Sequence, residues 1–267
     1  MKYFYEKTSE ADFKIGYRVK KNIYSKTKNG TKIEVIQNSA LGKLFILNGA
    51  VHFAENYEFI FSELIAHSVM FSHPKPEKVL LISDFDRGII KEIIKHKNVN
   101  EVYLISDKKE LQETFEENFP HLKGSNSKII FDNPKEYIKN FQNFFDVVII
   151  DSNVKDKTFL KHVFNSLTKE GMVSIANGFF KEPSAIQKEF KTMKSIFKYE
   201  TFLKSSFNLQ FLSSLGIQIC SKKIDVSEIT LRILNTRFKQ FEEARGLKYY
   251  SPEIHLSSMV IPKFYKI

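Results

Sequence analysis

The sequence predicts an α/β protein: a doubly wound, mostly parallel sheet preceded by a small antiparallel β-hairpin domain. Three observations carry that expectation. Two Asn-Gly turns, each between short strand-like runs, fall within the first fifty-odd residues. After the punctuated link His73-Pro74-Lys75-Pro76, short apolar runs alternate with helical segments. Runs such as Val79-Leu80-Leu81-Ile82 and Val147-Val148-Ile149-Ile150 are apolar at every position, as in strands covered on both faces.

The elements follow in chain order. Lys28-Asn29-Gly30-Thr31 separates Asn22–Lys26 from Lys32–Gln37, and Asn48-Gly49 separates Leu44–Leu47 from Ala50–Phe53. Asn-Gly suits a type I′ turn, whose two central residues both need φ > 0. Asn29-Gly30-Thr31 is also a glycosylation sequon, but the turn reading is preferred. From Glu55 to Ser72 the period becomes helical, with Phe59, Leu64, Ile65, Val69 and Met70 near one face. Strands are expected at Lys78–Ser83, Glu101–Ser106, Lys128–Phe131, Asp146–Asp151, Met172–Ala176 and Gly216–Ser221. Helices are expected at Gly88–Lys97, Lys109–Phe119, Pro134–Phe141, Thr158–Leu167 and Ser184–Ile196. The change of pattern divides the chain into a hairpin domain over 1–54 and an α/β domain over 55–267.

Composition narrows the function classes. With 267 residues, 42% hydrophobic and 27% charged, the chain matches a globular protein large enough for a sizeable core. No apolar stretch reaches the roughly 20 residues that span a bilayer, and the opening MKYFYEKTSE lacks the apolar core of a secretory signal. One cysteine, Cys220, excludes an internal disulfide framework and fits a reducing, cytoplasmic setting. The net charge of +10 comes from scattered lysines without a dense tract, so a solvated basic surface is favoured over a nucleic-acid site. The histidines show no ligand-like pairing, and neither a P-loop nor a Ser-His-Asp grouping is visible, so no metal is expected.

In open α/β sheets, ligands bind beyond the carboxyl ends of the strands, near the topological switch point. The residues there are acidic: Asp84 and Asp86 after the first strand, Asp107 after the second, Asp132 after the third, Asp151 at the fourth. A single such aspartate is ordinarily a turn former or helix cap. Acids at four consecutive strand ends, on a basic chain, point to a cationic ligand.

Several segments resemble the spermidine synthase (polyamine aminopropyltransferase) family. They are Gly42-Lys43-Leu44 through Asn48-Gly49, Glu55-Asn56-Tyr57-Glu58-Phe59, Glu63-Leu64-Ile65-Ala66-His67, and His73-Pro74-Lys75-Pro76-Glu77-Lys78-Val79-Leu80. Phe145–Ser152, Lys169–Met172, Gly216, Cys220-Ser221-Lys222, and the late Leu247-Lys248-Tyr249-Tyr250, Glu253-Ile254-His255 and Ile261-Pro262 continue it in register. The resemblance implies a Rossmann-like, methyltransferase-like sheet and a cytoplasmic homodimer or homotetramer. It implies aminopropyl transfer from decarboxylated S-adenosylmethionine, a co-substrate rather than a cofactor, to putrescine, giving spermidine and methylthioadenosine.

The same resemblance assigns the site. Asp86 falls on the family's aspartate for the aminopropyl ammonium, while Ser83, Asp84, Phe85 and Arg87 stand where the family has glycines. Phe85 then fills ligand space, and Arg87 weakens binding of a cationic donor unless it pairs with Asp84 or points away. Ser106 stands at the ribose-binding acid, with Asp107 next to it as either a substitute or a cap. Asp132 and Asn133 lie at the adenine position. His52 replaces a glutamine, Phe61 a tyrosine, and Gln210 a tyrosine of the putrescine-gating segment, whereas Glu63 and His67 match. Val154 occupies the position of the usual base, leaving Asp151 and Asp156 as catalytic candidates; Asp156 has a second reading as a helix N-cap. An active enzyme on this plan needs Asp86 and Asp151 to face one space that neither Phe85 nor Arg87 fills. The alternatives are a non-catalytic paralogue that binds or regulates, and another user of an S-adenosyl nucleoside.

Overall fold

The computed structural model describes residues 2–7, 14–125, 127–153, 156–179, 183–205 and 215–263. Strands β1 (Tyr3–Tyr5) and β2 (Gly16–Arg18) pair antiparallel. Strands β3 (Lys21–Lys28), β4 (Thr31–Asn38), β5 (Gly42–Leu47) and β6 (Ala50–Ala54) form a four-stranded antiparallel meander. Both Asn-Gly turns adopt the left-handed pair of conformations expected of them, with φ of 47° and 76° at Asn29 and Gly30 and 51° and 89° at Asn48 and Gly49.

The second sheet has seven strands: β7 (Lys78–Ser83), β8 (Glu101–Ser106), β9 (Ser127–Phe131), β10 (Phe145–Asp151), β11 (Leu167–Phe179), β12 (Tyr199–Lys204) and β13 (Leu215–Ser221). Their order is β12-β13-β11-β10-β7-β8-β9, and β13 runs antiparallel to both of its neighbours. The connections contain α1 (Glu58–Ser72), α2 (Ile89–Ile93), α3 (Lys109–Asn118), α4 (Pro134–Tyr137), α5 (Lys157–Ser166) and α6 (Pro183–Lys194). Helices α7 (Leu231–Lys239) and α8 (Pro252–Ser258) close the chain. This is the doubly wound arrangement, with the switch point between β7 and β10.

Four expectations need correction. Helix α1 is not one-faced: every residue from Ile60 to Ser72 is buried. It lies between the sheet, where Ser174 Oγ donates to the Ile65 carbonyl at 3.1 Å, and the C-terminal helices, where Arg237 Nη1 donates to Phe71 and Ser72 carbonyls at 2.5 and 2.8 Å. Helix α2 stops at Ile93 rather than Lys97, and the chain beyond it turns His96 inward. The expected turn at Lys169–Met172 lies inside β11. Phe145 pairs with Leu167 and Val147 with Met172, so the intervening β11 residues bulge out of register. Strand β12 and helices α7 and α8 were not expected at all. Their sequences are short and mixed, and α7 buries only Leu234 while α8 buries Pro252, His255 and Ser258.

The two sheets meet through a phenylalanine cluster. Phe45 and Phe53 of the meander pack on Phe85, Phe115 and Phe119 at centroid distances of 4.8 to 6.1 Å, largely edge to face. Phe115 touches each of the other four rings. Truncating such a buried ring costs about 3–5 kcal/mol. Phe115→Ala is therefore expected to lower the unfolding free energy by about that amount in denaturant titration. A loss below about 1 kcal/mol would show that the cluster does not tie the two sheets together.

Candidate active site

The loop after β7 enters the crevice at the switch point, and each of its residues has a structural commitment. Ser83 Oγ donates to the Phe85 carbonyl at 2.7 Å and lies 3.5 Å from Asp151 Oδ2. Asp84 is half-buried, and burial followed by the charge of Asp151 raises its pKa. Phe85 turns into the phenylalanine cluster, 5.0 Å from Phe45 and 4.9 Å from Phe115. Asp86 is only 4% exposed; its Oδ1 accepts from the Ile89 and Ile90 backbone N–H groups at 2.7 and 3.2 Å, capping α2. The Asp86 N–H donates to Gln112 Oε1 at 2.7 Å. Gly88, with φ of 88°, lets the chain turn into α2.

Arg87 reaches across the crevice to the end of β10. Its Nε donates to Asp151 Oδ2 at 2.9 Å and its Nη2 to Asp151 Oδ1 at 2.5 Å, a two-pronged fork. Its Nη1 donates to the His52 carbonyl at 3.0 Å, and its Cζ lies 3.9 Å over the centre of the Phe61 ring. The expectation of two carboxylates facing one open space is therefore not met. Asp86 is inside, holding a helix, and Arg87 lies on Asp151 rather than on Asp84. His52 is exposed as a residue, but partial shielding of its ring, then the Arg87 charge, lowers its pKa against the pull of Asp151.

The other expected site residues have structural partners, which corrects several assignments. Glu63 is buried and does not face the crevice; it accepts from the backbone N–H groups of Lys248, Tyr249 and Tyr250 at 2.8 to 2.9 Å, fastening the C-terminal segment to α1. His67 is fully buried, with Nε2 2.9 Å from Glu92 Oε2 and Nδ1 2.9 Å from His96 Nε2, so it belongs to an interior network. Ser106 is buried as well. It donates to the Asp84 carbonyl at 3.2 Å and accepts from the Lys108 N–H at 3.0 Å, bracing the loop. Asp107 is exposed beside Lys108. Asp132 accepts from the Asn133 N–H, and Asn133 caps α4 by accepting from the Lys135 N–H at 2.9 Å. Asp156 caps α5, accepting from the Phe159 N–H at 3.0 Å, and pairs with Lys135 at 2.6 Å. Those two contacts, Lys135 first, hold its carboxyl below the usual range. Val154 and Gln210 lie outside the described residues.

Gln112 was not expected from the sequence; the available signal was its helical spacing from Phe115 and Phe119, which puts a polar side chain on the apolar face of α3. The linkage of Arg87, Phe61 and His52 was missed too, although each had been noted singly as a departure. Among the described residues, no group of three His, Cys, Asp or Glu side chains is arranged to hold a metal ion, and no helix is long and apolar enough to cross a membrane.

Comparison with known proteins agrees with this architecture. The family model described as "Spermine/spermidine synthase domain" matches residues 58–231. A polyamine aminopropyltransferase of Hydrogenobaculum sp. is 28% identical, aligned over 99% of this chain and 95% of its own. That of Caldicellulosiruptor bescii is 29% identical, over 99% and 97%. The crystal structure of spermidine synthase from Thermotoga maritima superimposes with a TM-score of 0.85 at 25% identity, covering 99% of this chain and 93% of that one. A spermidine synthase in complex with the transition-state analogue AdoDATO shares the fold, with a TM-score of 0.87 at 24% identity over 99% and 93%.

Burial pushes the Asp86 carboxyl up to about 7, against the helix N–H donors that favour its ionised form. The native chain then keeps a proton that the unfolded chain loses near pH 4, so this group's contribution to stability falls as pH rises from about 4 through about 7. Asp86→Asn retains an acceptor for the cap and removes the charge. The stability of the variant relative to wild type is expected to increase between pH 4 and pH 8 in parallel denaturant titrations, by on the order of a few kcal/mol. A difference independent of pH would show that Asp86 titrates normally.

Proposed function

The chain belongs to the spermine/spermidine synthase family, and on that premise we propose that it is a polyamine aminopropyltransferase acting on decarboxylated S-adenosylmethionine and putrescine. The observation that carries the reading is the acidic pair Asp84 and Asp151 at the β7–β10 switch point, on a chain of net charge +10. With Asp86 turned inward, Asp84 takes its place near Asp151, and a substrate cation has to replace Arg87 there. Carboxylates at that place in a basic molecule favour a small cation over an anionic or neutral ligand.

The chemistry asks little of the protein beyond placement. The amine nitrogen of putrescine attacks the aminopropyl carbon bonded to the sulfonium. The new C–N bond forms as the C–S bond breaks, its electron pair returns to sulfur, and neutral methylthioadenosine leaves. The nitrogen sheds one proton. In-line placement supplies several kcal/mol of barrier lowering. A positioned base adds about 10²–10⁴-fold. With Asp156 committed to the α5 cap, we assign Asp151 to anchor the acceptor ammonium and to receive that proton. Asp86 is assigned to hold the loop through its helix cap rather than to touch the donor. Because the sulfonium is an activated leaving group, reaction proceeds even where base assistance is weak.

A second reading, a binding or regulatory paralogue without turnover, is favoured by one specific observation: both oxygens of Asp151 are taken by Arg87. Purified protein incubated with both substrates separates the two. Methylthioadenosine and spermidine appearing together support the enzyme; a thermal shift without product supports the paralogue. Within the enzyme reading, Asp151→Asn is expected to lower kcat/KM by about 10²–10⁴-fold. Asp156→Asn, which keeps a helix cap, is expected to stay within about threefold of wild type. A severe loss in Asp156→Asn would mean that its carboxylate, and not that of Asp151, takes the proton.

A further inference from the structure

Four positions that depart from the family pattern, or remain from it, converge on one contact. By the resemblance, Arg87 stands at a glycine position, Phe61 at a tyrosine position and His52 at a glutamine position; Phe61, the His52 carbonyl and the retained Asp151 all meet at the Arg87 guanidinium. The guanidinium is held on three sides: by both Asp151 oxygens, by the His52 carbonyl and by the face of Phe61. A tyrosine hydroxyl could bond an amine, whereas the bare ring of phenylalanine instead offers its face to a guanidinium. The Arg87 and Asp151 side chains are 20% and 11% exposed, so the fork is shielded enough to persist at physiological salt.

We propose that Arg87 sets the affinity of this site for its acceptor, as an internal cation that competes with the acceptor's ammonium for Asp151. A diamine reaching Asp151 must first displace the fork. Its apparent affinity is then reduced by the fraction of molecules in which Asp151 is free. Once the fork has been displaced, the reacting atoms meet the same carboxylate, so the effect falls on KM and not on kcat. This rests on the aminopropyltransferase reading for its kinetic form, but not for its binding form.

The test compares wild type with Arg87→Met and Arg87→Gln, which remove the charge, and with Arg87→Lys, which keeps it. Two readouts are used: steady-state product formation, and equilibrium binding of putrescine by calorimetry. Both neutral variants are expected to show KM and Kd for putrescine at least about tenfold lower than wild type, with kcat within about threefold, because a partly buried Asp151 left unpaired draws in a cation. Arg87→Lys is expected to bind putrescine closer to wild type than to either neutral variant. Tighter putrescine binding by the neutral variants, with no product from any protein, would overturn the enzyme reading and leave the competitor role standing. Product formed with KM and Kd unchanged or raised in the neutral variants would overturn the competitor role and leave the enzyme reading standing. If no variant makes product and the neutral ones bind putrescine no better than wild type, both are overturned.

Discussion

The constraint on which the rest of the molecule depends is the reversal at the β7–β10 boundary. These strands lie side by side and parallel, Val79 opposite Val147 through Ser83 opposite Asp151, yet their outgoing connections lead away to different neighbours. A crevice opens at their carboxyl ends as a result of connectivity alone. Residues 83–88 and the end of β10 must line it, whatever side chains they carry. The acidic rim and the Arg87 fork both lie at this one place.

The loop that enters the crevice has exchanged freedom for attachment. A glycine-rich turn leaves backbone bare for a ligand, whereas here the side chains anchor the loop to the rest of the protein. Phe85 joins it to the meander sheet through Phe45, Asp86 and Gln112 tie it to α2 and α3, and Ser106 braces it from β8. Phe85 was expected to obstruct ligand space; its ring instead sits in the interface between the two sheets. The obstruction comes from Arg87, two residues on, which has an opposite charge within reach and an aromatic face to lie on.

Several acids on this basic chain serve as backbone acceptors. Glu63 takes three N–H groups from the C-terminal segment, Asp146 takes those of Glu77 and Lys78, and Asp86 and Asp156 cap helices. A carboxylate accepting several N–H groups satisfies donors that burial would otherwise leave unpaired, each at a cost of about 1–3 kcal/mol. Asp156 makes the helix-cap bond also expected of it, and the ordinary reading of a strand-end aspartate, as a cap or turn former, holds for Asp86. It fails for Asp151, which meets a side-chain cation instead.

The amino-acid sequence by itself determined the periodic features: both Asn-Gly hairpins, the buried parallel strands, the strand-helix alternation, and the motifs that carry family membership. These depend on local φ/ψ preference and on repeats of burial, which a linear pattern records. It did not determine which acids are free. Glu63, His67 and Asp86 look like site residues in a line of letters, yet Glu63 and His67 are consumed by partners distant in sequence, Lys248–Tyr250 and His96, and Asp86 turns inward to cap the helix that follows it. Nor does spacing reveal that residues 52, 61, 87 and 151 meet. Only the tertiary structure decided that, because charge pairing and ring contact act through space over a few ångströms, and the chain positions they join are set by how the sheets pack.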